Sequence, residues 1–461
     1  MDGTDVLLEL IKSPNDNVQA MSARALKNVC ETEQIRLYCV SKGALETAVN
    51  TIKKTKNDDG LILEFVGIIS ALVLTKTICF DFLYKHNGIS LLIDTLNSGI
   101  KNPNLIVEIT DFLSWLSENE IYREIFIEQG HSKTIKQLFM DPKTIIEVRP
   151  SFGKVFSNIS ASDTILEDIW NELDLFMELL KDQNKEIQVF SAIIIGNVAR
   201  TDEYCSAMVK RGIAQVLVDI LKNTEIDLRV RNYCTGTLRN ISLNERNKPE
   251  LLKLGIFKPL IGLFDNFKLN QVVVFQSLVV IKNLLSGGEK YCLVFVEEGG
   301  LEEIKQLVTF DESDHLKFES SRLVALLMKH RGLQERIIKN SLLISIVTLL
   351  NGNFDILKQE GLNATLSLAE NGHSKQLTNV PSLLSAIANV LAPVSAPKNP
   401  ISSETHLLAV TTLTKILTDC PEVSKENLGD NFIVNLDNLA KAIPTERRES
   451  IQKLKLIITQ Q

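Results

Sequence analysis

The first residues to question for chemistry are six histidines, His86, His131, His315, His330, His373 and His406. They stand far apart, with no H-E-x-x-H and no cysteine at ligand spacing, so no metal site is expected. Seven cysteines, at positions 30, 39, 79, 205, 234, 292 and 420, are scattered and never form a C-x-x-C pair. That is the pattern of reduced, packed thiols in the cytosol or nucleus. The chain has no G-x-x-x-x-G-K-[ST] phosphate cradle and no G-x-S-x-G elbow. Ser286-Gly287-Gly288-Glu289 reads as the turn after a helix ending near Leu285. The carboxylate pairs Glu297-Glu298 and Glu302-Glu303 read as solvated helix faces. No catalytic residue, cofactor or metal is therefore expected, and the chain is read as a non-enzyme.

What remains is a row of amides. Asn158, Asn197, Asn240 and Asn283 recur at equivalent points, each closing an apolar run. An asparagine side chain both donates and accepts, so the row has two readings. Each Asn could bridge neighbouring helix ends by hydrogen-bonding freed carbonyls. Alternatively, the row could face a groove and meet a partner's backbone at regular intervals. Arg200, Thr201 and Arg239 flank the row, and the arginines could pair with carboxylates or sit at helix ends favoured by the dipole. Trp115 and Trp170 are read first as packed residues and second as partner anchors.

The elements that must position these residues come from a repeat. A Gly follows the Asn by 15 residues at Asn28–Gly43, Asn197–Gly212 and Asn240–Gly255. Counting back from Gly88 and Gly130 lands on Val73 and Trp115, so the scaffold persists where the Asn is lost, and Ser367 takes the Asn place in a later copy. The anchors 28, 73, 115, 158, 197, 240 and 283 are 39 to 45 residues apart, the period of armadillo and HEAT units. Within one unit, EYCSAMVKR reads as a short helix, a Gly makes the tight junction, IAQVLVDILK reads as a second helix, and a long amphipathic third helix follows. No unit buries its apolar face alone, so the units must stack, with third helices aligned on an inner surface.

The predicted fold is thus all-α, a right-handed armadillo-repeat α-solenoid of three-helix units, a single array over residues 1–461 with about ten repeats. A polar inter-helix loop is expected at 53–60 (KKTKNDDG), and a Pro/Ser-rich loop at 392–405 (APVSAPKNPISSET) before C-terminal capping helices.

Composition sets the outer limits. The 461 residues are 44% hydrophobic, 23% charged and only 6% aromatic, with a net charge of −7. A modest acidic excess lacks the basic footprint of a nucleic-acid binder. It fits a basic partner or simply a soluble surface. No apolar run is long enough to insert in a membrane, and the ends carry no expected signal peptide, myristoylation or prenylation site. The N-x-[ST] sequons at Asn158, Asn240 and Asn363 fall in or near predicted helices and carry no meaning without secretion.

Four phrases resemble one family. FSAIIIGNVARTDEYCSAMVKRGI, LRNISLNERNKPELLKLG, FESSRLVALLMKH and, near the start, KSPNDNVQAMSARALKNVC are similar to repeats of the smgGDS-type armadillo family, the stimulators of GDP dissociation from small GTPases. The resemblance runs colinearly through the chain and is strongest over residues 184–370. It implies a cytoplasmic protein that binds small GTPases of Rho, Rac or Ras type in a concave groove and modulates their nucleotide exchange or chaperones them. Carried over residue by residue, it implies partner contacts at Asn197, Arg200, Thr201 and Asn240. Thr201 stands where the family has Asn, which leaves full exchange activity open. The chain opens almost inside a repeat, so the family's earliest repeats are expected to be missing, which leaves recognition of a prenyl group open. The alternative reading is an adhesion-type scaffold or a nuclear-import-type adaptor for extended basic peptides. Against it, the four ladder helices lack the Trp that import adaptors pair with each Asn.

Overall fold

The computed structural model describes residues 2–55, 58–73, 77–265, 267–392, 400–423, 425–429, 431–442 and 448–460. Every regular element among them is helical. The chain forms two compact units, Met1–Val198 and Ala199–Gln461. Each is an armadillo-type solenoid in which long third helices pack side by side. In the first unit these are α1 (Asp16–Val29), α2 (Asp59–Val73), α3 (Pro103–Glu118), α4 (Arg149–Ile159) and α5 (Lys185–Val198). In the second they are α6 (Leu228–Leu243), α7 (Gln271–Leu285), α8 (Asp314–Met328), α9 (Asp355–Glu370) and α10 (Ser403–Asp419). Two shorter helices precede each third helix from α2 to α10, and a short 3-10 helix, Lys425–Leu428, and two α-helices, Phe432–Ala442 and Arg448–Gln460, follow α10 among the described residues.

The local chemistry explains these helices. Asp227 caps α6 by accepting from the Arg229 amide at 2.8 Å, satisfying one orphan donor. Val230, Cys234, Leu238 and Ile241 then fall at four- and three-residue spacing and are fully buried. Thr235 and Thr237, also buried, turn their hydroxyls onto the carbonyls of Arg231 and Tyr233. The second helix Ile213–Lys222 buries Ile213, Ala214, Leu217, Val218 and Leu221 against this layer.

The junction glycines serve two purposes, a positive φ and a close approach. Gly212 sits at φ +81° between the first and second helices of its repeat, a left-handed conformation that costs a side chain with a Cβ. In the second repeat the roles are split. Asn87 takes the left-handed place at φ +54°, while Gly88 is needed because a Cβ there would lie 2.6 Å from Leu83 Cδ2.

Helix Ala44–Lys54 and α2, which begins at Asp59, both run into the polar 53–60 segment, so the described non-helical residues there are Thr55 and Asp58, and residues 56–57 lie outside the described ones. Residues 393–399 of the Pro/Ser-rich segment also lie outside them, and α10 starts at Ser403. Cys30, Cys39, Cys205, Cys234, Cys292 and Cys420 are free and buried. Burial pushes the thiols of Cys234 and Cys292 up to about 12. No described helix is long and apolar enough to cross a membrane.

Candidate partner-binding face

Each ladder asparagine lies near the C-terminal end of a third helix, and its side-chain N–H reaches back one repeat. In the first unit, Asn158 on α4 donates to the Ser114 carbonyl at 3.0 Å and lies 3.2 and 3.3 Å from the hydroxyls of Ser114 and Ser117 on α3. Asn197 on α5 donates to the Ser157 carbonyl at 3.3 Å and the Ser160 hydroxyl at 2.8 Å. In the second unit, Asn240 donates to the Ala199 carbonyl at 3.0 Å. Asn283 donates to the Arg239 carbonyl at 3.4 Å and the Ser242 hydroxyl at 3.0 Å. Ser367 keeps a shorter version of the link, its hydroxyl lying 3.4 Å from the Met328 carbonyl.

The bridging role is therefore filled by the amide nitrogens. The oxygens are a separate matter. Among the described residues no donor reaches the Oδ1 of Asn158, Asn197 or Asn283, while the Oδ1 of Asn240 takes two contacts from the Arg239 guanidinium at 3.4 Å. All four side chains are half-buried. Three of the four amide oxygens are thus left without a described protein donor, while the amide nitrogens are spent on the preceding repeat.

Sequence reasoning missed the serines. Ser117, Ser160 and Ser242 each sit two residues after an anchor and donate to the carbonyl three residues before them, at 2.7–2.8 Å. A hydroxyl has one proton, so once it is given to that carbonyl the lone pairs are left to accept the next repeat's Asn. The signal was present as W-L-S at 115–117 and N-I-S at 158–160 and 240–242. Two of these are the sequons set aside for lack of secretion.

The flanking residues divide. Arg239 is half-buried, and its Nη1 donates to Gln276 Oε1 at 3.0 Å. Arg200 is exposed. Thr201 caps the helix Asp202–Lys210 by accepting from the Tyr204 amide at 3.3 Å. The Glu203 carboxyl is held below its ordinary value, first by its own backbone amide and then by the Thr201 hydroxyl. Trp115, read first as packed, is 38% exposed beside Phe112, because its place on α3 continues the outward stripe of Asn104, Val107 and Asp111. Trp170 is half-buried in the helix Leu166–Asn171.

Ion pairs tie the same faces together. In the first unit Arg24 Nε bonds Glu64 at 2.9 Å, and Lys154 reaches Asp111 at 3.2 Å. Lys27 crosses the whole width of α2 to Glu108 on α3 at 3.0 Å. It passes over Gly67, where a Cβ would lie 2.7 Å from Lys27 Cδ. In the second unit Lys282 pairs with Glu319, and Arg322 grips Glu360 with two bonds at 2.7 and 2.8 Å. The hydrogen bond with Glu360 raises the pKa of Arg322.

No family model matches the chain. It is similar to GTPase-GDP dissociation stimulators. The Drosophila melanogaster stimulator vimar is 21% identical over 308 residues, covering 64% of this chain and 47% of that protein. Darlin of Dictyostelium discoideum is 21% identical over 345 residues, covering 63% and 44%. The Xenopus laevis Rap1 GTPase-GDP dissociation stimulator 1-B is 26% identical over 427 residues, covering 78% and 69%. The chain spans about half the length of the first two. Among solved structures, a chain from a study of the interaction between cadherin and beta-catenin matches with a TM-score of 0.61 at 13% identity, covering 99% of this chain and 94% of that one. An engineered protein matches with a TM-score of 0.62 at 17% identity, covering 100% and 99%. At these identities the structural matches speak for the armadillo-type fold alone.

Proposed function

We propose that the chain binds small GTPases of Rho, Rac or Ras type through the exposed faces of its third helices, and that binding modulates nucleotide exchange or shelters the GTPase. The observation that carries this reading is the set of amide oxygens left without a described donor on Asn158, Asn197 and Asn283 of the stacked third helices, in a chain similar to stimulators of GDP dissociation. The contact set on this reading is Asn158 and Asn197 in the first unit, and Arg200, Thr201, Arg239, Asn240 and Asn283 in the second. The chain acts by binding, in the cytoplasm, without cofactor or metal and without direct insertion in a membrane. A basic peptide is disfavoured beside Arg239, because neither α6 nor α7 carries a carboxylate and no described carboxylate pairs with that guanidinium.

The test uses purified full chain immobilised against a panel of Rho, Rac, Ras and Rap1 GTPases, each nucleotide-free and GDP-loaded. Retained members are then assayed for release of labelled GDP with and without the chain. Retention of at least one member is expected. Retention of none removes the proposal.

A further inference from the structure

Three successive repeats of the second unit use one link. A cation in the second half of a third helix reaches an acceptor 37 or 38 residues further on, in the middle of the next third helix. Lys282 on α7 reaches Glu319 on α8, and Arg322 on α8 reaches Glu360 on α9. Arg239 on α6 reaches Gln276 on α7. Gln276, Glu319 and Glu360 are equivalent positions, separated by 43 and 41 residues. Two links end on a carboxylate and one ends on a neutral amide.

The consequence for Arg239 is electrostatic. Among the described residues its guanidinium hydrogen-bonds the amide oxygens of Asn240 and Gln276, and no carboxylate lies within ion-pair distance. Neutral acceptors fix its orientation but leave its charge uncompensated. Neither α6 nor α7 contains an acidic residue, and the carboxylates that reach this face, Asp227 and Glu319, are engaged by Arg229 and Lys282. The space is open as well. Gly236 lies one turn before Arg239–Asn240, and a Cβ there would meet nothing within 4 Å. In a chain of net charge −7, this is a locally positive, preoriented and accessible group.

We propose that Arg239, held by Asn240 and Gln276, is an acidic-side-chain receptor: a partner protein's Asp or Glu carboxylate binds the Nη1 and Nη2 hydrogens that these two amides leave unused, and supplies the charge that Glu319 and Glu360 supply for the neighbouring repeats. The absent internal glutamate is supplied in trans. A planar guanidinium receives a carboxylate through two parallel N–H bonds, which gives orientation as well as attraction. This rests on the reading that the α6–α7 face takes a protein partner.

The experiment uses the full chain, wild type, Gln276→Glu and Arg239→Gln, with two probes. One probe is the GTPase retained best in the panel above. The other is a fluorescein-labelled tetraglutamate peptide, followed by fluorescence polarisation at low and at high salt. Gln276→Glu restores the internal carboxylate and should compete with any external one, so it should weaken both probes about tenfold or more without lowering the melting temperature. Arg239→Gln should weaken both to a similar degree, and the wild-type affinity for the peptide should fall as salt rises. Peptide affinity that is undetectable in the wild type, or equal in all three chains, overturns the inference. If no GTPase is retained but the peptide ranks the variants as expected, the inference stands and the GTPase reading fails. If a GTPase is retained equally by all three chains, the GTPase reading stands and the carboxylate receptor is overturned.

Discussion

Replacing Asn197 with Ala removes the N–H that reaches Ser157 O at 3.3 Å and Ser160 Oγ at 2.8 Å. The Ser160 hydroxyl keeps its own acceptor, the Ser157 carbonyl at 2.7 Å, so the truncation orphans acceptors and no donor. A net contribution of about 0.5–1.5 kcal/mol per hydrogen bond, with the longer contact weaker, gives a loss of about 1–2 kcal/mol. For a unit of this size that corresponds to a fall of about 2–8 °C in the melting temperature. Thermal unfolding of the full chain by circular dichroism gives the shift, and amide exchange in α4 and α5 shows where it falls, since repeat arrays can unfold in segments. A double-mutant cycle with Ser160→Ala isolates the pair and should return a coupling of about 0.5–1 kcal/mol. An unchanged melting temperature together with zero coupling would refute the view that the amide nitrogen ties one repeat to the next.

Other outcomes can be checked in the same way. Leu217 is fully buried in the second helix of its repeat, so Leu217→Ala should cost about 2–5 kcal/mol in chemical denaturation, and Leu217→Asp should cost more because the charge finds no partner. Gly236→Ala fills open space in the interior of α6 and should stabilise by about 0.5–1 kcal/mol; a fall in the melting temperature would show that the position is not open. Burial lowers the pKa of His131 and of His406, so the unfolded chain binds protons more readily than the folded one. The stability these histidines provide is complete above their ordinary value of about 6.5 and should be lost as pH falls from there toward the depressed folded values. His131→Gln with His406→Gln should flatten that part of the stability–pH curve, and an unchanged slope would contradict the assignment.

The repeat was legible because its determinants are local. Apolar spacing marks each third helix, and a turn residue with positive φ marks most junctions, whether Gly212 or Asn87 supplies it; the junction at Glu172, φ −107°, does without one. The row of asparagines was legible for the same reason, since one period of chain carries each to an equivalent place. Its division of labour was not. Whether an amide nitrogen turns inward to Ser157 or outward depends on where the previous repeat's carbonyl lies, some forty residues earlier. The serines stayed hidden because a hydroxyl two residues after an anchor looks like any surface Ser until its partner is in view.

The sequence by itself determined the helices, their period and their stacking, because propensity and apolar periodicity act over one or two turns and the period repeats them in register. Only the tertiary structure decided which charges are neutralised. Arg239 and Arg322 look alike in the sequence, each in the second half of a third helix. Contact with the next helix gives one a glutamine and the other a glutamate. Coulomb energy depends on distance through space, and stacking brings together residues that the chain keeps 37 or 38 positions apart.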